Sequence, residues 1–178
     1  PRSFSIQLHS KTTSFSHSAT VELCLNFCFY FFCFIGHTIT SIFNVASYLA
    51  HQGLVIDCPE LGQLVIDVAY GGNYYAIIEP QANFAGLEQF SAAQVLRYSP
   101  LVREAINKVA TCVPPEDASV NGISHVMWTG KPSQQDSSAA NAVFYGSGAI
   151  DRSPCGTGTS ARMAQLHAKG LLKEGEEF

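Results

Sequence analysis

A single cysteine lies directly before a glycine- and threonine-rich segment that opens a helix near the C-terminus. The segment Asp151–Ser160 reads DRSPCGTGTS, and the residues after it, ARMAQLHAK, are helix formers that run up to Gly170. Cys155 is therefore expected at a helix N-terminus, where free N–H groups and the helix dipole favour negative charge. This placement predicts an anion-binding loop beside a thiol of lowered pKa.

The rest of the chain reads as a mixture of helices and strands. Apolar spacing predicts a helix over 41–52 that ends at Gly53, and two further helices over 91–97 and 99–111. Alternating apolar runs and turn residues predict strands over 54–56, 63–69, 73–79, 123–128 and 142–145, with a tight turn at Gly71 and Gly72 and a polar loop over 131–141. The expected fold class is α+β.

Composition and charge exclude several classes of function. The 178 residues are 47% hydrophobic, enough for a core, while the net charge of −4 and scattered Lys and Arg give nucleic acid no basic surface to bind. The six cysteines form no CxxC pair and have no histidine pair at zinc spacing, so no metal site is expected. Their uneven placement argues against a disulfide framework and favours a reducing compartment, so a cytoplasmic location is expected.

The segment Asp151–Ser160 resembles the second catalytic-cysteine motif of the proline racemase and 4-hydroxyproline epimerase family. The resemblance extends to three upstream segments, 67–76 (DVAYGGNYYA), 123–130 (ISHVMWTG) and 141–146 (NAVFYG), and covers about residues 53–178. It implies the diaminopimelate epimerase-like α+β fold of two pseudo-symmetric halves, incomplete here. Residues 36–178 are expected to form the proline racemase-like region, truncated at both ends.

A weak internal repeat points in the same direction. Cys155 stands fifteen positions before Gly170, and Thr38 stands fifteen positions before Gly53, the two glycines expected to end helices. A twofold similarity of this kind fits a protein of two like halves that face each other across a cleft.

The resemblance implies a cofactor-independent epimerase or racemase that inverts the α-carbon of a cyclic imino acid, with 4-hydroxyproline preferred over proline. One thiol removes the α-proton from one face and a second group returns a proton to the other. The scheme needs no metal and no pyridoxal phosphate. The expected partners are a small imino acid substrate and, by the family, a second copy in a homodimer; no membrane partner is expected.

The resemblance also implies roles for individual residues. Cys155 would be one acid/base thiol, Asp151 would hold the substrate ammonium, and Gly156 and Thr157 would donate backbone N–H groups to the substrate carboxylate. Simpler interpretations remain open at two of these positions, since Cys155 could be a buried structural thiol and Asp151 a turn or cap residue.

Two aromatic residues on the expected strands are further candidates for the site. Tyr145 would form a wall of the pocket and His125 would reach the substrate, while both also fit ordinary core positions of a strand.

The first thiol of the family pattern is missing. The family places a cysteine directly before Gly-His, but Gly36 and His37, both candidate substrate-binding residues, follow Ile35. The repeat register gives Thr38 instead, and Cys33 would need a shifted loop. This departure leaves two alternatives: a catalytically inactive fragment or paralogue, and a hydroxyproline dehydratase, although such dehydratases replace the second cysteine rather than the first.

Residues 1–35 show no resemblance to the family. A basic, acid-poor start precedes the apolar stretch 23–35, which is shorter than a bilayer span and is interrupted by Asn26. Three interpretations compete: a targeting segment, a pair of buried strands, and non-native sequence. The last is favoured because the similarity further along the chain is close.

Overall fold

A computed structural model describes residues 8–11, 26–29, 42–114, 119–135, 137–146, 148–153 and 155–178. Near the N-terminus, three short strands form an antiparallel sheet in chain order: β1 (Leu8–Lys11), β2 (Asn26–Phe29) and β3 (Ile42–Phe43). Within the described residues, no helix is both long and apolar enough to cross a membrane.

The main body is a six-stranded mixed sheet whose strands lie side by side in chain order. They are β4 (Tyr48–Cys58), β5 (Gly62–Tyr70), β6 (Tyr74–Ile78), β7 (His125–Gly130), β8 (Ala140–Gly146) and β9 (Ala149–Ile150). The pair β6 and β7 is parallel and the other four pairs are antiparallel. The chain between β6 and β7 carries a short 3-10 helix (Leu87–Gln89) and α1 (Ala92–Val109), and α2 (Gly156–Ala168) follows β9.

Each face of the sheet packs against one helix. Because side chains alternate along a strand, neighbouring residues of β6 serve different cores. Tyr74, Ala76 and Ile78 belong to the cluster that includes Val102 and Ile106 of α1. On the other face, Tyr75, Ile77, Met127 and Val143 pack with Cys155 and Ala161 at the start of α2. This alternation places the chemistry of the cysteine loop on one face alone.

The helix predicted over 41–52 is wrong, because residues 42–43 and 48–52 lie in strands. Tyr48 pairs with Tyr70 in the sheet, their ring centroids are 5.4 Å apart, and the Tyr48 hydroxyl lies 2.6 Å from that of Tyr74. Gly53 ends no helix but sits inside β4 at a φ of 68°, within a register irregularity, and its N–H donates to Asp67. The internal repeat, which needed a helix ending at Gly53, therefore fails.

The two helices predicted over 91–97 and 99–111 are one helix, α1. Ser91 and Gln94 form a capping box at its start. Pro100 lies inside the helix on an exposed position, where it removes one backbone hydrogen bond. The buried stripe of α1 runs through the proline from Val95 to Val102, so packing against the sheet offsets the lost bond.

Other sequence expectations are confirmed. Strands occupy the predicted ranges 54–56, 63–69 and 142–145, and they occupy 74–78 and 125–128 within the ranges predicted as 73–79 and 123–128. The Gly71 and Gly72 turn joins β5 to β6. Gly170, at a φ of 71°, follows the end of α2 and donates its N–H to the His167 carbonyl, as a helix-ending glycine does.

Candidate active site

Cys155 is the N-cap of α2, which begins at Gly156, five residues before the run of helix formers that starts at Ala161. Its backbone is left-handed, with φ 49° and ψ 60°, an uncommon conformation for a residue with a side chain. The Cys155 N–H donates to Ser153 Oγ at 3.1 Å and its carbonyl accepts from the Thr159 N–H at 2.7 Å. The side chain is 7% exposed, so the loop holds the thiol against the sheet at the open end of the helix.

Asp151 extends from the end of β9 to the thiol. Its backbone N–H donates to the Val143 carbonyl at 2.8 Å, and its carboxylate accepts the Ser153 N–H at 2.8 Å. Burial pushes the pKa of Asp151 up, but the hydrogen bonds from Ser153 and from the Cys155 thiol outweigh burial and lower it below its ordinary value. Asp151 is therefore a carboxylate anion in contact with a protonated thiol.

The pKa of Cys155 is raised to about 11, which overturns the expectation of a lowered value. Burial is the largest cause, followed by the hydrogen bond to Asp151 and the negative charge of that carboxylate. The Gly158 N–H and the Tyr75 hydroxyl act in the opposite direction without overcoming these effects. At neutral pH Cys155 is thus a proton donor rather than a thiolate.

Tyr75 is the site residue that the sequence interpretation missed. It comes from β6, is 1% exposed, and places its hydroxyl 4.0 Å from Cys155 Sγ and 2.6 Å from Thr157 Oγ1. Burial, and then the nearby Cys155, raise the pKa of Tyr75, so its hydroxyl keeps its proton. Because side chains alternate along a strand, the strand predicted over 73–79 implies that Tyr74 and Tyr75 lie on opposite faces of the sheet. The sequence does not indicate which of these two tyrosines lies on the face that carries the cysteine loop.

His125 and Tyr145 lie beside this group. The ring of His125 is half-buried, its centroid is 4.8 Å from that of Tyr75, and its Nδ1 lies 2.7 Å from Ser124 Oγ. Burial lowers the pKa of His125 and the Arg103 guanidinium adds to the effect, although Asp151 opposes it, so the imidazole is neutral at pH 7. Tyr145 is 51% exposed, which rules out a plain core position, and its ring stacks at 6.5 Å from His125.

Of the remaining predicted site residues, two lie at the start of α2 and the others lie outside the described residues. Gly156 is exposed as the first residue of α2, and Thr157 is half-buried with its hydroxyl on Tyr75. Gly36 and His37, together with Thr38 and Cys33, lie outside the described residues. The structure therefore assembles Cys155, Asp151, Gly156, Thr157, His125 and Tyr145 at one end of α2.

Glycines allow the helix start to approach the sheet closely. A Cβ on Gly71 would lie 2.2 Å from the Thr157 carbonyl oxygen, and one on Gly158 would lie 2.6 Å from Cys155 Sγ. Asn44 reinforces the contact, because its Nδ2 donates to the Gly71 carbonyl at 3.0 Å and to Ser160 Oγ at 2.6 Å. The turn between β5 and β6 is thus a support for α2 as well as a hairpin connection.

A polar cluster ties the other end of α2 to β5 and β6. Lys169 Nζ lies 3.0 Å from the Asp67 carboxylate and also contacts Glu79, while Arg162 pairs with Glu79 at 2.8 Å. Gln165 donates to Asp67 at 2.6 Å. Burial opposes the change, but these hydrogen bonds and cations lower the pKa values of both Asp67 and Glu79. Both carboxylates are therefore charged and paired at neutral pH.

No group of three or more His, Cys, Asp or Glu side chains suited to a metal ion occurs among the described residues. Cys58 and Cys112 are buried, unpaired thiols that belong to the α1 side of the sheet. The Cys155 cluster is therefore built from a thiol, a carboxylate, hydroxyls and the helix N-terminus.

The chain resembles known epimerases over most of its length. It is 61% identical over 137 residues to a 4-hydroxyproline 2-epimerase of Shewanella loihica, covering 77% of this chain and 41% of the relative. It is 57% identical over 145 residues to a 4-hydroxyproline 2-epimerase of Spirosoma linguale, covering 80% of this chain and 43% of the relative. The chain thus spans about two fifths of the length of these relatives.

The fold agrees with these sequence relationships. A crystal structure of a hydroxyproline epimerase from Agrobacterium vitis, with bound trans-4-hydroxy-L-proline, superposes with a TM-score of 0.65 at 30% identity, over 75% of this chain and 38% of that one. The family described as proline racemase matches residues 36–178, which include every described residue of the cysteine cluster. On these grounds the chain belongs to the proline racemase family.

Proposed function

We propose that this chain is the Cys155-bearing part of a cofactor-independent 4-hydroxyproline 2-epimerase, in which Cys155 is one of two acid/base groups. The observation that carries the proposal is the buried Cys155 thiol at the N-terminus of α2, in the same short loop as the Asp151 carboxylate. The substrate is inferred from the relatives that are 4-hydroxyproline 2-epimerases.

The protonation states of the free site suit Cys155 to donate a proton. A base on the opposite face of the ring takes the α-proton, and the electron pair left on the α-carbon then accepts the proton of the Cys155 thiol. The sulfur becomes a thiolate, and in the reverse direction this thiolate abstracts the α-proton. The group on the opposite face belongs to a part of the protein outside the described residues.

Asp151 couples substrate binding to the acidity of the thiol. The ring ammonium of the imino acid would pair with the Asp151 carboxylate and offset its charge. Because that charge and its hydrogen bond raise the pKa of Cys155, the paired state makes the thiol a stronger acid. Binding of a cationic amine beside Asp151 thus lowers the pKa of the Cys155 thiol.

The start of α2 provides for the negative charge of the substrate. The N–H groups of Gly156 and Thr157 belong to its first turn, where no intrahelical partner exists. They would donate to the substrate carboxylate, which gathers charge as the α-proton leaves, and preorganised donors of this kind stabilise such charge. Neutral His125 beside the site adds no competing cation.

One observation supports a second candidate, a protein that binds the ligand without inverting it. Ile35 stands where the family has a cysteine before Gly36 and His37. A chain without a second acid/base group would exchange the α-proton on one face at most.

Proton NMR of trans-4-hydroxy-L-proline in D2O tests the proposal with one sample series. The wild-type chain should lose its α-proton signal and form the inverted product. Cys155→Ser should abolish formation of the inverted product, because a serine hydroxyl is far too weak an acid, while Cys112→Ser on the other face of the sheet should retain both changes. Inversion by Cys155→Ser would refute the role of Cys155. Exchange without inversion, or no exchange by the wild type, would support the second candidate.

A further inference from the structure

We infer that Tyr75 is a positioning residue, whose hydroxyl links the Thr157 side chain to Cys155 and stabilises the thiolate that forms when the proton is transferred. The inference rests on the proposed function of Cys155 as an acid/base group. The first observation in its support is the position of the Tyr75 hydroxyl, which lies 2.6 Å from Thr157 Oγ1 and 4.0 Å from Cys155 Sγ.

In the proposed arrangement these hydrogen bonds have one direction. The Cys155 thiol donates to Asp151, so its sulfur accepts when it bonds to Tyr75. Tyr75 donates its single proton to the sulfur and the Thr157 hydroxyl donates to the Tyr75 oxygen, which the geometry permits because either hydroxyl can be the donor. The result is a chain of donors that begins at Thr157 and ends on the sulfur.

The ring of Tyr75 has little freedom to leave this arrangement. It is 1% exposed, lies against the imidazole of His125, and would meet a Cβ on Gly158 at 3.1 Å. Because the ring is held in place, only a short movement of the hydroxyl toward the sulfur is needed when charge develops, so little reorganisation is required. The distance of 4.0 Å is long for the neutral thiol, and a negative sulfur would draw the hydroxyl closer.

A hydroxyl buried at this position would be costly without its hydrogen bond to Thr157. Phenylalanine would fill the same space among Ile77, Met127 and Val143 without burying a polar atom. Tyr74, one residue earlier, is also buried and tyrosine, but its hydroxyl lies 2.6 Å from that of Tyr48 on the α1 face. The two neighbours therefore form a matched pair, in which only Tyr75 reaches the thiol.

The test is the pH dependence of Cys155 alkylation by iodoacetamide in ligand-free protein, followed by mass spectrometry of the peptide that contains Cys155. Tyr75→Phe should move the midpoint upward by about half to one pH unit, which means about threefold to tenfold less thiolate at a given pH. Tyr74→Phe should leave the midpoint unchanged. Circular dichroism checks that both variants are folded.

Thr157→Val provides a second route if Tyr75→Phe does not fold. It removes the first donor of the chain, so the midpoint should move in the same direction by a smaller amount. An unchanged midpoint in a folded Tyr75→Phe variant, or an equal shift in Tyr74→Phe, would overturn the inference.

The alkylation readout does not depend on catalysis. If the wild type inverts no imino acid but Tyr75→Phe shifts the midpoint, the proposed function fails while the coupling of Tyr75 to Cys155 stands. Where the wild type exchanges the α-proton, Tyr75→Phe should lower kcat by a similar factor with KM unchanged, because its hydroxyl acts on the thiolate and not on the bound substrate. A rise in KM alone would count against the assignment.

Discussion

The absence of a side chain at Gly158 lets the Cys155 thiol lie close to the first turn of α2. The Gly158→Ala substitution tests this packing through its effect on the free energy of unfolding. A Cβ there would lie 2.6 Å from Cys155 Sγ, 3.1 Å from Met127 Cε and 3.1 Å from Tyr75 Cε1. Adding a methyl group to a packed site of this kind costs about 2 kcal/mol, within the usual range of about 1–3 kcal/mol. Alanine gains about 1 kcal/mol of helix propensity over glycine, so the net loss is about 1 kcal/mol.

Gly156→Ala is the matched control, two residues earlier in the same helix. Gly156 is exposed and a Cβ there meets nothing within 4 Å, so the same substitution should be neutral or stabilising by up to about 1 kcal/mol. At about 2–4 °C per kcal/mol for a protein of this size, the difference of about 1–2 kcal/mol should separate the two variants in Tm by about 2–8 °C, with Gly158→Ala lower.

Thermal unfolding followed by circular dichroism gives both Tm values under one set of conditions. Gly158→Ala should also change the rate of alkylation of Cys155, because the methyl group displaces the sulfur from its partners. A Gly158→Ala variant as stable as Gly156→Ala, with normal alkylation, would refute the packing described for the start of α2.

Two further predictions concern charge. Asp151→Asn removes one of the causes that raise the pKa of Cys155 from 9.0 to about 11, so the alkylation midpoint should fall by about one pH unit; an unchanged midpoint would mean that burial alone sets it. Asp67 and Glu79 have pKa values below their ordinary 3.8 and 4.5, so the unfolded chain binds more protons in acid, and the free energy of unfolding should fall as pH drops from about 5 to 3. Lys169→Met should flatten that dependence in urea titrations, and an equally steep decline would contradict the pairing.

The parts of the fold that local patterns decide were predictable. The alternation over 63–69 and 73–79 and the glycine pair between them identify a hairpin because strand period and turn chemistry agree. Gly170 was likewise identified as a helix end because only a residue without a Cβ adopts its φ of 71° at no cost.

The parts that distant contacts decide were not predictable. The apolar run over 42–50 fits a helix in spacing, but Tyr48 gains two aromatic neighbours, Tyr70 and Tyr74, only in the sheet. Pro100 indicated a helix boundary, and the buried face of α1 overrides it.

In the candidate site, too, the local motif was predictable and the long-range contacts were not. The motif Asp151–Ser160 located Cys155 at a helix N-terminus, and the structure confirms that placement. The pKa of its thiol depends on burial beneath β6 and on the carboxylate of Asp151, neither of which the order of residues gives. Tyr75 was not predicted as a site residue for a related reason: it is eighty residues from Cys155 in sequence, and only the fold brings the two together.

The support of α2 at both ends has a consequence for motion. Its first turn rests on Gly71 and Asn44, and its last turn is held by Asp67 and Glu79, so the helix cannot tilt without breaking contacts at either end. Its amide hydrogens should exchange with solvent only in large opening events, together with those of β5 and β6. Cys155 therefore lies at the start of a helix that is fixed at both ends.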